Sequence, residues 1–183
     1  MNQDISPETG AQVGRGWTRW LWLAALVIVL DQASKQAILA SFSLGERLPL
    51  TSFFNLVLVY NPGAAFSMLS DQGGWQRWLF TALGLGASAW MAWMIRQSPE
   101  QKIMATSLAL IIGGALGNVI DRVIYGHVID FIDVHGRVFT PLFSHGHFPA
   151  FNIADSAISV GAVLLIIDEI VRSRRARDNV AES

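Results

Sequence analysis

Leu21-Trp-Leu-Ala-Ala-Leu-Val-Ile-Val-Leu30 carries no charged side chain, and the stretch runs on through Asp31-Gln-Ala-Ser-Lys35 to Ala37-Ile-Leu-Ala40. Counted from about Trp17, it has the ~20-residue length with which a helix crosses about 30 Å of hydrocarbon. Three similar segments follow, between Arg77 and Arg96, between Lys102 and Asp121, and from about Asn152 to Val171. The chain therefore reads as a membrane protein, mainly α, with four transmembrane helices. Composition agrees: 52% of the 183 residues are hydrophobic and 15% charged, with a mean hydropathy of +0.40, more apolar than an ordinary soluble domain. A net charge of -1 implies no nucleic-acid partner. Cysteine is absent, which excludes disulfides, thiolate zinc sites and thiol nucleophiles.

Orientation follows from Lys and Arg near the span ends, because cytoplasmic loops carry the excess. Arg15 and Arg19 precede the first span, Arg96 and Lys102 join the second to the third, and Arg172, Arg174, Arg175 and Arg177 follow the fourth. Together these are eight of the thirteen cations. Both termini are expected in the cytoplasm, with residues 41–75 and 122–151 outside. Trp17, Trp20, Trp22, Trp75, Trp78, Trp90 and Trp93 fall near span ends, where interfacial tryptophans gather. A cleaved signal peptide is the rival reading of the first span. Ala37 and Ala40 are spaced wrongly for an A-x-A cleavage site, and cleavage would spoil the even placement of positive loops.

The outer loops carry structure of their own. Asn55-Leu-Val-Leu-Val-Tyr60 is an apolar, β-branched run closed by Asn61-Pro-Gly63, which predicts a strand entering a turn and a small extracytoplasmic β-structure. Residues 1–14 and 173–183 read as mobile tails. The membrane domain then occupies residues 17–172, between a cytoplasmic tail at 1–16 and a basic one at 173–183.

Ionisable groups in or beside membrane spans are costly, so each needs a reason. Asp31 and Lys35, at i and i+4, can neutralise each other. Asp168 and Glu169 lie one turn before Arg172 and read as a solvated pair. Asp121 adjoins Arg122, with Asn118 a turn earlier, a cluster that serves equally as scaffold or as site. Asp130 and Asp155 differ, since they sit in Val128-Ile-Asp-Phe-Ile132 and Ile153-Ala-Asp-Ser-Ala-Ile158 with no cation in helical reach. Two carboxylates brought together there cannot both ionise cheaply, so they share a proton. That state suits an aspartyl peptidase: the ionised member deprotonates water while the protonated one hydrogen-bonds the scissile carbonyl. A competing account of Asp155 is structural. With Asn152 as the N-cap of the fourth span, a carboxylate at its third residue favours the helix dipole.

Other chemistries are less supported. His145-Gly-His147, with an aspartate nearby, offers a metal two ligands but no identified third. Ser156 beside Asp155 and Ser34 beside Lys35 lack the supporting groups of a serine nucleophile. Ile112-Gly-Gly-Ala-Leu-Gly117 looks like a phosphate loop only superficially; within an apolar span, small residues let helices approach closely.

Five blocks, in order, resemble the signatures of the lipoprotein signal peptidase (signal peptidase II) family. They are Asp31-Gln32 with Lys35, Asn61-Pro-Gly-Ala-Ala-Phe66, Gly113-Gly-Ala-Leu-Gly-Asn118 with Asp121-Arg122, Val128-Ile-Asp-Phe131, and Phe151-Asn-Ile-Ala-Asp-Ser156. The resemblance covers about residues 17–172. It implies an aspartyl endopeptidase of the bacterial inner membrane, with its site near the outer, periplasmic face. Such an enzyme removes the signal peptide from prolipoproteins, cutting before a diacylglyceryl-modified cysteine. The resemblance places the catalytic dyad on Asp130 and Asp155. It assigns Asp31, Lys35, Asn61, Gly63, Asn118, Asp121, Arg122 and Asn152 to support of the site or of substrate. From its sequence position, Arg122 reads as held by Asp121 in preference to being free for a lipid headgroup. It further implies no metal and no cofactor, contact with membrane lipid, and inhibition by globomycin-type peptides. One segment departs from the compact pattern: between Phe131 and Phe151 the chain carries Asp133, His135 and a long stretch from Gly136 to His147, at the expected rim of the site.

Two functions of other classes compete, a small proton-coupled transporter and a non-catalytic assembly factor whose polar groups join helices. No inverted repeat is visible, and the unpartnered aspartates lie toward one face, away from the midplane where a carrier would hold them.

Overall fold

Helix α1 (Thr18–Ser41) buries Ala24, Val27, Asp31, Lys35 and Ile38 along one side, while Trp22, Leu26, Val29 and Leu30 face outward. Charge inside and apolar surface outside is the arrangement a bilayer demands and water forbids. The structure is a computed structural model that describes residues 16–63, 74–143 and 145–181. Residues 1–15 of the expected N-terminal tail, Ala64, Ala65 and Phe66 of the Asn61 block, Ser144, and residues 182–183 lie outside the described residues.

After α1 the chain forms β1 (Arg47–Pro49) and β2 (Phe54–Asn61), then α2 (Trp75–Gln97), α3 (Lys102–Tyr125), β3 (Val128–Val134), a short 3-10 turn (Arg137–Phe139) and α4 (Ile153–Ala181). Helix α3 is central and packs against α1, α2 and α4. Its glycines permit this. A Cβ on Gly114 would lie 2.3 Å from the Ala154 carbonyl oxygen, and one on Gly117 would lie 2.6 Å from Asp31 Oδ2. The glycine run of α3 is therefore a helix-packing surface.

The β-structure expected between the helices is a three-stranded antiparallel sheet in the order β1-β2-β3. Register shifts between Leu56 and Val59, which places Val59 opposite Asp130 and Asn61 opposite Val128. Ile38, Leu58, Ile129 and Phe131 form the apolar cluster that seats the sheet on α1. A second cluster, built on Ala24, Met91, Ile95, Ala105, Leu108 and Ile112, closes the far end of the bundle. At that far end Arg19 Nη2 and Trp20 Nε1 donate to the Pro99 carbonyl at 3.1 and 3.2 Å. Lys102, Arg172 and Arg175 line a common hollow there.

Among the described residues, α1, α2 and α3 are the helices long and apolar enough to cross a membrane. Helix α4 packs beside them, but its bounds differ from expectation. The basic stretch beyond Arg172 is helical, for α4 continues to Ala181. Arginines are good helix formers, and Ser173 Oγ donates to Glu169 Oε1 at 3.3 Å. Nor is Asp168 solvated: only 9% of it is exposed, and its carboxylate meets Arg172 Nη2 at 2.5 Å. Residues at i and i+4 share a helix face, and that face is turned toward α3.

Candidate active site

The site grows from the junction of β3 and α4. Phe151 pairs with Ile132, its N–H donating to the Ile132 carbonyl at 3.1 Å and its carbonyl accepting from Phe131 and Ile132 at 3.0 and 2.8 Å. This docking sets Asn152 beside β3 just as the chain turns into α4. Asn152 is the N-cap: its Oδ1 accepts from the Asp155 N–H at 2.9 Å, while Asp155 Oδ2 accepts from the Asn152 N–H at 3.3 Å. That reciprocal pair is a capping box. The structural role foreseen for Asp155 is thus real.

The same Asn152 reaches the other acid. Its Nδ2 donates to Asp130 Oδ1 at 2.8 Å and to the Ile129 carbonyl at 3.2 Å. One residue therefore holds both carboxylates. Asp130 Oδ2 accepts from Asn61 Nδ2 at 3.0 Å, a diagonal cross-strand contact that follows from the β2–β3 register. Asn61 Oδ1 in turn accepts from the Gly63 N–H at 2.9 Å. Gly63 has a φ of 92°, and a Cβ there would lie 2.8 Å from the Phe80 ring, so the turn needs glycine. Asp155 Oδ1 accepts from Asn118 Nδ2 at 2.7 Å.

Behind the pair lies a fully buried charge cluster. Lys35 Nζ contacts Asp31 Oδ2 at 2.8 Å, Asp121 Oδ2 at 2.7 Å and Asn118 Oδ1 at 2.9 Å. The remaining lone pairs are also used. Asp31 Oδ1 accepts from the Ala154 N–H at 2.9 Å, and Asp121 accepts from the Ile129 N–H at 3.1 Å and from Gln32 Nε2 at 2.8 Å. The expected Asp31–Lys35 pair therefore supplies two members of a three-charge cluster that ties α1 to α3, β3 and the start of α4. Gln32, assigned no role from sequence, completes it.

Arg122 corrects an expectation. Asp121 does not hold it, since both Asp121 oxygens are taken by the cluster, and neighbouring helical residues point in different directions. Its Nη1 donates to the Asn118 carbonyl at 3.3 Å, its guanidinium lies 5.2 Å from the centre of the Phe80 ring, and its buried Nε has no hydrogen-bond partner among the described residues.

Arg122 and Asp130 line one open cavity of about 680 Å³, together with Tyr60, Asn61, Gly63, Phe80 and Phe143. Asp155 lines a second of about 490 Å³ with Phe148, Phe151, Ser156 and Val160. Pro149 and Ala150 border both. Tyr60, Phe80 and Phe143 were not foreseen, because aromatic residues scattered through separate segments give no local signal. Asp130 is 1% exposed. Burial, and then the charge of Asp155, push its carboxyl up to about 6, although the amides of Asn61 and Asn152 pull it back. The structure thus brings together Asp130, Asp155 and all eight supporting residues named from sequence. It separates His145, which is exposed, from His147.

A family model described as signal peptidase (SPase) II matches residues 23–171. The chain belongs to the signal peptidase II family. A lipoprotein signal peptidase of Ralstonia nicotianae is 55% identical over 162 residues, covering 88% of this chain and 90% of that one. One of Burkholderia vietnamiensis is 58% identical over 158 residues, covering 86% and 91%. Among solved structures, a bacterial membrane enzyme determined by the in meso method at 2.3 Å superposes with a TM-score of 0.72 at 29% identity, covering 85% of this chain and 90% of its own. A second, at 1.9 Å, gives 0.69 at 30% identity, covering 82% and 91%. Membership makes this chain a bacterial membrane protein and a protease of lipoprotein processing.

Proposed function

We propose that this signal peptidase II is an aspartic endopeptidase whose dyad is Asp130 and Asp155. It removes the signal peptide from prolipoproteins by cutting before a diacylglyceryl-modified cysteine. The observation that carries the reading is Asn152, whose amide and backbone N–H join the two carboxylates. In the proposed reaction Asp130 holds the proton and donates it in a hydrogen bond to the scissile carbonyl oxygen. Asp155 takes a proton from water, which attacks the carbonyl carbon; the proton then passes to the departing amine as the C–N bond breaks. The raised carboxyl of Asp130 supports this division. Cavities on both sides of the pair provide the room that a cleavage site with chain on either side requires.

The remaining residues take supporting parts. Asn61, Asn118 and Asn152 orient the acids, Asp31, Lys35 and Asp121 fix the elements that carry them, and Gly63 and Arg122 face substrate. Helix α4 is proposed as the fourth crossing, on the strength of its outward row Val160, Val163, Ile166, Ile167 and Ile170. The gathering of Arg19, Lys102, Arg172 and Arg175 at the end away from the sheet supports termini in the cytoplasm and a site at the outer face of the inner membrane.

The test is a matched pair of precursors, one with diacylglyceryl-cysteine and one unmodified, incubated with the purified protein and read by mass spectrometry. Cleavage directly before the modified cysteine is expected. Rapid processing of the unmodified precursor counts against the substrate class. The pH profile tests the mechanism separately. Because Asp130 must be protonated and titrates at about 6, kcat/KM should fall as pH rises past that value, approaching about tenfold per pH unit. A flat profile from about pH 5 to about pH 8 would sink the assigned proton.

A further inference from the structure

We propose that Asp133, His135 and His147 form a binding site for a divalent transition metal of zinc type on the outer sheet, distinct from the Asp130–Asp155 pair. One ligand atom from each of the three lies within 4.8 Å of the others. They come from different parts of the chain: Asp133 from within β3, His135 from just beyond it, and His147 from the returning arm of the long outer segment. An antiparallel bridge between His135 and His147 fixes that return, and the two imidazoles stack with centroids 4.7 Å apart and planes at 19°.

The carboxylate is prepared for such a role. Asp133 is 3% exposed. Its Oδ2 accepts from Asn55 Nδ2 at 2.7 Å and meets the half-exposed Arg47 Nε at 3.4 Å. Among the described residues its Oδ1 meets only His147 Nδ1, at 2.8 Å. One oxygen is thus anchored by outer groups and the other faces an imidazole, the division found where ligands are oriented from behind. Two imidazoles and a carboxylate are donors that suit zinc and leave a fourth position for water. Ligand atoms around a tetrahedral zinc stand about 3.4 Å apart, so a modest closure of the hairpin completes the set. Metal entry replaces the hydrogen bond between His147 Nδ1 and Asp133 Oδ1: the neutral imidazole keeps its one proton on Nε2 and turns the Nδ1 lone pair to the metal.

His147 is followed by Phe148 to Phe151, the segment that walls both cavities of the candidate active site. Metal at this position fastens that wall to β3 and takes no part in hydrolysis. The proposal stands apart from the peptidase reading.

The experiment is a calorimetric titration of zinc chloride into the full chain in detergent micelles, chelator-washed and freed of any polyhistidine tag, with imidazole resonances followed by NMR. One zinc per chain is expected, bound at micromolar affinity or tighter, with a rise in thermal midpoint. His135→Ala and His147→Ala should each lose more than the about 10–100-fold expected for the outer-shell variant Asn55→Ala. His145→Ala and Asp130→Asn should bind as the parent does. Failure of the parent chain to bind one equivalent, unchanged affinity in His147→Ala, or loss of binding in His145→Ala would overturn the site.

Discussion

Asp130→Asn and Asp155→Asn are each expected to lower cleavage of a diacylglyceryl-modified prolipoprotein by about a hundredfold to ten-thousandfold, while the protein remains folded in detergent. The magnitude follows from removing a group that must hold or take a proton in the reaction, commonly worth about 10²–10⁴. Each substitution keeps the shape of the side chain and changes only its charge and proton. The introduced amide still has an oxygen to accept one bond, from Asn61 or Asn152 in the first case and from Asn118 or the Asn152 N–H in the second. Asp155→Asn also weakens the α4 capping box by about 1 kcal/mol, so its thermal midpoint should drop slightly, whereas Asp130→Asn should not lose stability in the same way. Circular dichroism and thermal unfolding separate misfolding from lost chemistry. Retention of even a tenth of parental cleavage in a folded variant would end the dyad assignment.

The second large effect concerns stability. Lys35→Met should prevent folding or reduce stability by about 3–5 kcal/mol, as expected when one partner of a buried ionic cluster is removed. Lys35 is wholly buried and, among the described residues, is the single cation paired with Asp31 and Asp121. Methionine fills the volume but leaves two carboxylates inside the bundle uncompensated. Neutralising one acid at the same time, with Asp31→Asn in the Lys35→Met background, should recover part of the loss. Parental thermal stability in Lys35→Met would show that the cluster contributes little to the fold.

What the sequence made readable was local. The helices announced themselves by apolar runs of membrane length, and Asn152 and Asp155 by their spacing at the start of α4. Asp31 and Lys35 were legible as a pair because i and i+4 share a face. Their third partner, Asp121, was not, since it joins them only when α3 crosses α1. The same blindness to long-range packing misassigned Arg122, whose sequence neighbour Asp121 points elsewhere. Asn61 reaches Asp130 through a strand register shifted between Leu56 and Val59, and no spacing rule gives that shift. The outer histidines show it most plainly. His145 and His147 looked like the pair, but a turn exposes the first and a bridge across the hairpin brings His135 to the second.

Asn152 begins a helix and holds two acids with the same few atoms, which gives the protein a temporal order as well as a geometry. During synthesis α4 is the last helix of the bundle to emerge. Until it docks on α3 and its first turn closes, Asp130 has lost one of its two amide donors and Asp155 has no fixed position. A half-inserted chain therefore carries both carboxylates without their alignment. For the proposed dyad, alignment is therefore completed only when the final helix of the bundle docks on α3.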